Sequence, residues 1–284
     1  MKKHIHSWKD LFLSFIKYTV LCLWAMTTIL PLLWVLLNAF KPSMEILRNS
    51  MALPRSFSFD NFITVMNYPD VNMIRGFRNS FIISGSVVIL VSLLSGFAAF
   101  ALGRFKIKAR IPILAVLTGC LLVPSFATVI PNFVTISYIP FLRRTYLAAI
   151  IPQTAGNLCF SIILLTGFMR SLPKELDEAA LIDGVKIPAI FFKISMPLCK
   201  SMFATIAIMA FIWSYNDLLT SMVYLAEQRL KPVNVILLMV SNMFGTDYGA
   251  LMAAIIVTII PLVVLYMVSQ EQVVKGLTAG AVKE

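Results

Sequence analysis

Five stretches of this chain, residues 18–40, 79–103, 111–142, 145–169 and 248–270, contain no Asp, Glu, Lys or Arg, and a sixth, 201–226, contains only Asp217. An α-helix rises 1.5 Å per residue, so about 20 apolar residues cross a hydrocarbon core about 30 Å thick. Each stretch is long enough to do so. A 284-residue chain that is 59% hydrophobic and 13% charged, with mean hydropathy +0.88, cannot hide that much apolar surface from water. The bilayer has to be part of its solvent. The expectation is an all-α integral membrane protein with six transmembrane helices. A tail at 1–17 precedes a membrane domain at 18–270, and a tail at 271–284 follows it.

Lys and Arg set the orientation, because cytoplasmic loops carry their excess. Most of the 24 basic residues fall in 1–17, 103–110, 170–200 and 271–284. Segment 103–110, GRFKIKAR, has four positive charges and no negative one. Both termini are therefore expected in the cytoplasm and the chain in the plasma (inner) membrane; Arg143 and Arg144, on the opposite side, run against the pattern. The net charge of +11 fits cationic loops facing anionic membrane lipid, so no nucleic-acid partner is expected. Cys22, Cys120, Cys159 and Cys199 lie in or beside spans without metal-ligand spacing, and His4 and His6 sit in the tail, so no metal site is expected.

The first span, 18–39, is too long for a cleaved signal and reads as an anchor kinked at Pro31. The loop at 41–77 carries Phe57-Ser58-Phe59-Asp60-Asn61-Phe62 and Tyr68-Pro69, which predict short ordered turns with Asp60-Asn61 capping a helix. The second span is rich in Ser, Gly and Ala, which let helix backbones approach closely in lipid, and is expected at the centre of a bundle. The third (Pro112, Pro124, Pro131, Asn132) and fourth (Pro152, Gln153, Gly156, Asn157) read as broken, polar helices, tolerated only beside protein or water. The fifth carries Trp213-Ser214-Tyr215-Asn216-Asp217. These residue types suit a sugar site, with rings against apolar sugar faces and amides and carboxylates for hydroxyls. They equally suit an interfacial aromatic belt with a helix-ending Asn-Asp pair. Residues 232–246 are too short to span and read as an outer, scoop-like segment; the sixth span is expected to break at Pro261.

One charged, amphipathic stretch, 170–200, interrupts this apolar chain. Pro173 can open a helix, and Glu175, Asp177 and Glu178 lie near its start, where the helix dipole favours negative charge. Ala179 and Ala180 keep one surface flat. Asp183-Gly184 supplies the stop, since Gly accepts the left-handed conformation that ends helices. Glu178-Ala179-Ala180, then Gly184, Ile194 and Met196-Pro197, resembles the cytoplasmic signature of permease subunits of ATP-driven (ABC) importers, with Met where Leu is usual. Phe40-Lys41-Pro42, Arg78-Asn79-Ser80 and the tail Lys275-Gly276-Leu277-Thr278-Ala279-Gly280-Ala281-Val282-Lys283-Glu284, ending in Glu rather than Gly, are similar to the maltose-transporter branch of that family.

The resemblance implies a type I ABC importer permease fold. Spans two to six form its core, and the first wraps onto a second permease subunit. It implies an ATPase-docking surface at Glu178, Ala179, Ala180, Asp183 and Gly184, facing cytoplasmic ATP-binding subunits that hold ATP and Mg. An extracytoplasmic sugar-binding protein would deliver substrate to the loops at 41–77 and 227–247. The substrate-pathway candidates are Trp213, Tyr215, Asn216, Asp217, Asn132, Gln153 and Asn157. No Gly-rich loop followed by Lys-Ser or Lys-Thr occurs, so the chain is expected to bind no nucleotide and to be no enzyme. A secondary carrier would call for several ionisable residues within the spans, and only Asp217 is present. A permease for amino acids or peptides is compatible with the cytoplasmic signature; the sugar-type tail argues against it.

Overall fold

The computed structural model describes residues 8–67, 72–243 and 247–281, and every regular element among them is helical. The turn expected at Tyr68-Pro69, both histidines and the last three residues of the tail lie outside these residues. Four helices are long and apolar enough to cross a membrane. They are α1 (Trp8–Ala39), α4 (Met73–Arg104), α8 (Leu147–Ser171) and α15 (Tyr248–Ala281), the last qualifying over Tyr248–Gln272. Two further pairs, Arg110–Cys120 with Ser125–Ser137 and Ile187–Leu198 with Lys200–Tyr215, pass the same test together but bend by 93° and 81°. Counting each bent pair as one span gives the six expected.

The bends have local causes. In the third apolar run, α5 (Arg110–Cys120) tightens at its end into i→i−3 bonds, Leu121 N to Thr118 O, Leu122 N to Gly119 O and Val123 N to Cys120 O, 3.1–3.2 Å long. Pro124 then leaves the helix at φ −60°, ψ 130°, and α6 (Val129–Ser137) starts in a new direction. A four-residue helix, α7 (Pro140–Arg143), leads into α8. In the later pair, α10 (Ile187–Ile190) runs through a π turn at Phe191–Ser195 into α11 (Met196–Leu198), and α12 (Lys200–Tyr215) leaves at Cys199. The other prolines behave differently from expectation. Pro152 lies inside a continuous α8 and Pro261 inside a continuous α15, so neither the fourth nor the sixth span is broken. A membrane helix tolerates the one backbone bond that Pro removes where neighbours re-satisfy the freed carbonyl.

The chain divides into two compact units, 1–71 with 239–259 and 72–238 with 260–284. In the first, α1 exposes its apolar side chains over most of its length. Its end is tied to α3 (Asp60–Met66), and α2 (Ser43–Arg48) is tied to the start of α15, where Ser43 Oγ donates to Asp247 Oδ1 and accepts from Gly249 N. Asn61 does not cap α3 as expected. Its Nδ2 instead donates to Ala39 O (2.8 Å) and Lys41 O (2.9 Å), while Ser58 Oγ accepts from Asp60 N at 3.1 Å. Phe40 meets the rings of Phe57, Phe59 and Phe62 at 5.2–5.5 Å. Lys41 is fully buried, with Nζ donating to Asn49 O and Ser50 O. Over 41–67 the loop is thus ordered, as Phe57 to Phe62 predict.

In the second unit α4 is central. Its buried residues Gly76, Ser80, Ser84, Val87, Val91, Ser95, Ala99 and Gly103 recur every three or four positions and form one stripe. That stripe lets α8 and α12 pack close. A β-carbon on Gly96 would come within 2.9 Å of the Phe203 ring, and one on Gly103 within 3.1 Å of Met169 Cβ. At the other end, Asn79 Nδ2 donates to Arg229 O and Lys231 O, Tyr146 Oη donates to Asn79 Oδ1, and Ser80 Oγ accepts from Val233 N. These bonds fix the start of α14 (Val233–Met243), the segment expected to be an outer scoop.

Candidate functional site: a polar cavity and a surface helix

The first region is a cavity of about 630 Å³ within the second unit, formed where the bend at 121–124, the middle of α8, the end of α12 and α13 (Leu219–Tyr224) meet. Asn132, Gln153, Asn157, Trp213 and Asp217 all line it. Tyr215 and Asn216, expected beside them, do not. Trp213 faces it from the last turn of α12, and Asp217, two residues past the helix end, is brought to it by the turn that follows, in which Asp217 N donates to Ser214 O. Tyr215 is instead buried, stacked on Phe211 at 5.7 Å and 6.2 Å from Phe81, and its carbonyl accepts from Asn234 Nδ2. Asn216 caps α12 and folds back, its Nδ2 donating to Ile212 O. The helix does end at an Asn-Asp pair, and Asp217 of that pair also faces the cavity.

The polar groups are braced. Gln153 Nε2 donates to Asp217 Oδ2 (2.8 Å) and to Ser221 Oγ (3.2 Å), and Gln153 Oε1 accepts from Ser214 Oγ (2.6 Å). Asp217 Oδ2 also accepts from Ser221 N and Ser221 Oγ, both at 2.9 Å. Gln153 thus links Asp217, Ser221 and Ser214, and the three donors to the carboxylate converge on one oxygen. Asn157 Nδ2 donates to Gln153 O at 2.8 Å, while its buried Oδ1 has no hydrogen-bond partner among the described residues. Trp213 is half-exposed, its indole edge-on to Phe160 at 5.5 Å. Among the described residues no Lys, Arg or His lines the cavity. Such a site offers hydrogen-bond acceptors and an aromatic face, and nothing to neutralise an anion. Ser214 and Ser221 have no counterpart among the sequence candidates; their sequence signal is only closeness to Asp217, three residues before it and four after.

The second region is α9 (Glu175–Ile182), with Glu175, Asp177 and Glu178 in its first turn. It begins one residue beyond Lys174 rather than at Pro173. Gly184 has φ +75°, the sole positive φ among the described residues. Val185 N donates to Ala180 O (2.9 Å) and Gly184 N to Leu181 O (3.1 Å), the paired bonds of a left-handed helix stop. Glu178, Ala179, Asp183 and Gly184 are exposed. Ala180 is 6% exposed and packs into the chain's own cluster with Ala99, Phe100, Leu165 and Phe191. It is an inward contact, not part of an open docking face. Ile182, by contrast, is 86% exposed, an apolar side chain standing out beside the helix stop that the sequence reading passed over.

Comparison with known proteins gives the family of the chain. The family described as "Binding-protein-dependent transport system inner membrane component" matches residues 89–279. The chain belongs to this family and is a multi-pass membrane protein. It is 33% identical over 273 residues to the diacetylchitobiose uptake system permease protein of Streptomyces coelicolor, covering 93% of this chain and 87% of that one. It is 28% identical to a probable starch degradation products transport system permease protein of Thermoanaerobacterium thermosulfurigenes, covering 99% of this chain and all of that one. It is 31% identical to the arabinooligosaccharides transport system permease protein of Halalkalibacterium halodurans, covering 91% and 92%. In fold it resembles the crystal structure of a bacterial ABC transporter involved in the import of the acidic polysaccharide alginate, with TM-score 0.79 and 20% identity over 94% of this chain and 98% of that one. The type I permease fold is thereby established.

Proposed function

We propose that this chain is one of two permease subunits of an ATP-driven importer and forms half of the pathway for a neutral sugar or oligosaccharide. The observation that carries the substrate class is the cavity. Its half-exposed Trp213, the unpartnered Asn157 Oδ1 and the Asp217 carboxylate without a cation suit a ligand that donates hydroxyl hydrogens and stacks an apolar ring face. The sugars named for the relatives support the same class. Energy comes from separate cytoplasmic subunits that bind ATP and Mg; this chain binds no cofactor and performs no chemistry. Those subunits receive α9 through Glu178, Ala179, Ile182, Asp183 and Gly184, with the Arg104 end of the bundle and both termini in the cytoplasm. Closure of the ATPases moves the docked helices and favours one of two pathway states, since a ligand shifts such an equilibrium only by binding one state better. A sugar-binding protein delivers substrate at the opposite, Tyr146 end.

Purification of the tagged chain from native membranes in mild detergent tests the assembly. A second permease and an ATPase are expected to co-purify, and the ATPase to be lost on Ile182→Asp. A chain that runs alone or only with copies of itself overturns the proposal.

A further inference from the structure

Arg104 is the last residue of α4, and its side chain is 3% exposed. Nε donates to Asp177 Oδ2 at 2.5 Å. Nη1 donates to Met169 O (2.9 Å) and Leu172 O (2.8 Å), and Nη2 to Pro173 O (2.7 Å). The three carbonyls belong to the end of α8 and the link that follows it, where a helix leaves its last C=O groups without intrahelical partners and where a cation is favoured. Asp177 lies in the first turn of α9. One buried guanidinium thus ties together the end of α4, the end of α8 and the start of α9. The contact of Gly103 with Met169 holds α4 and α8 together at the same level.

We infer that Arg104 is the positioning residue that makes α9 and the ends of α4 and α8 move as one body. Movement imposed on α9 then reaches two membrane spans instead of being absorbed in the 172–174 link. The inference rests on α9 being the ATPase-docking helix. Two features set it apart from an ordinary ion pair. Three of the four bonds go to carbonyl oxygens, which any cation could attract but only a planar fork of donors can serve in several directions at once. The group is also buried, so any sliding of α9 exposes or orphans a charge.

The test uses the complete complex reconstituted in proteoliposomes with its binding protein, reading sugar imported per ATP hydrolysed alongside the yield of ATPase-bearing complex. Arg104→Lys is expected to retain the ATPase while sugar per ATP falls at least tenfold. Asp177→Asn, which keeps an acceptor for Nε, is expected to fall less. The exchange of Arg104→Asp with Asp177→Arg is expected not to restore coupling, because an acid cannot donate to the three carbonyls. Native sugar per ATP in Arg104→Lys, or rescue by the exchange, overturns the inference. So does a loss of uptake that only tracks a loss of assembled complex in both single variants. A native chain that brings down no ATPase overturns the docking reading itself, which distinguishes that failure from this one.

Discussion

Gly184 offers a clean perturbation because its surroundings are open: a β-carbon there meets nothing within 4 Å. Any effect of Gly184→Ala on the isolated chain therefore comes from the backbone. At φ +75° an L-residue with a β-carbon pays roughly 1–2 kcal/mol for the left-handed conformation. The alternative is to release the two bonds from Gly184 N and Val185 N that end α9. A cost of this size reduces the population with a properly terminated α9 by about 5- to 30-fold. If only that population docks, the affinity of the ATPase for the permease pair falls by the same factor. Asn enters the left-handed region more readily than other L-residues, and a β-branched residue least readily. The predicted order of weakening is therefore Asn, then Ala, then Val. The assay is a titration of purified ATPase onto permease pairs in nanodiscs, read by fluorescence anisotropy. Ala and Val variants that bind within twofold of the native chain would refute the backbone reasoning. Asn weaker than Ala would refute it as well, by showing that side-chain volume at the docked surface decides.

Three further outcomes are expected. Gln153→Leu removes a charge-assisted bond to Asp217 and strands the Ser214 hydroxyl, at a cost of about 2 kcal/mol, so thermal unfolding in detergent should shift down and transport should fall. Trp213→Ala should lower uptake several-fold while the yield of assembled complex stays native; equal loss of both would make the indole a packing group. Gly103→Leu should cost about 1–3 kcal/mol by overpacking against Met169, whereas Gly85→Ala, with nothing within 4 Å, should leave thermal stability unchanged or raised.

Much of the architecture is written in the chain because lipid imposes strict rules on it. Uncharged runs set the spans, and the Ser, Gly and Ala content of residues 79–103 marks α4 as central. The end of α9 was legible for a similar reason: Asp183-Gly184 after an acidic, Ala-rich turn leaves few conformations other than a left-handed stop. Proline was a weaker guide. Pro124 ends a helix, while Pro31, Pro152 and Pro261 lie within continuous ones, and the difference depends on neighbours that repair a missing bond. Trp213 in the last turn of α12 and Asp217 in the turn beyond it reach the cavity, while Tyr215 packs on Phe81 and Phe211 and Asn216 folds back on Ile212, a distinction lost when the stretch is read as a block of suitable residue types. Ala180 looked like an open surface because small residues serve equally for close approach outward and inward. Arg104 was invisible as a joint. In sequence it is one of four positive charges in a short segment, and its partners are created only when the ends of α4 and α8 come together 65–73 residues apart.

The central claim is that this chain moves a neutral sugar using ATP hydrolysed by a partner. The most direct measurement is uptake of labelled neutral oligosaccharides into proteoliposomes containing the purified complex, with ATP trapped inside and the binding protein outside. Uptake that requires both ATP and binding protein, persists when proton and sodium gradients are collapsed, and does not extend to uronic-acid oligosaccharides is the predicted result. Uptake driven by an ion gradient without ATP, or transport of acidic sugars at the neutral rate, would contradict it.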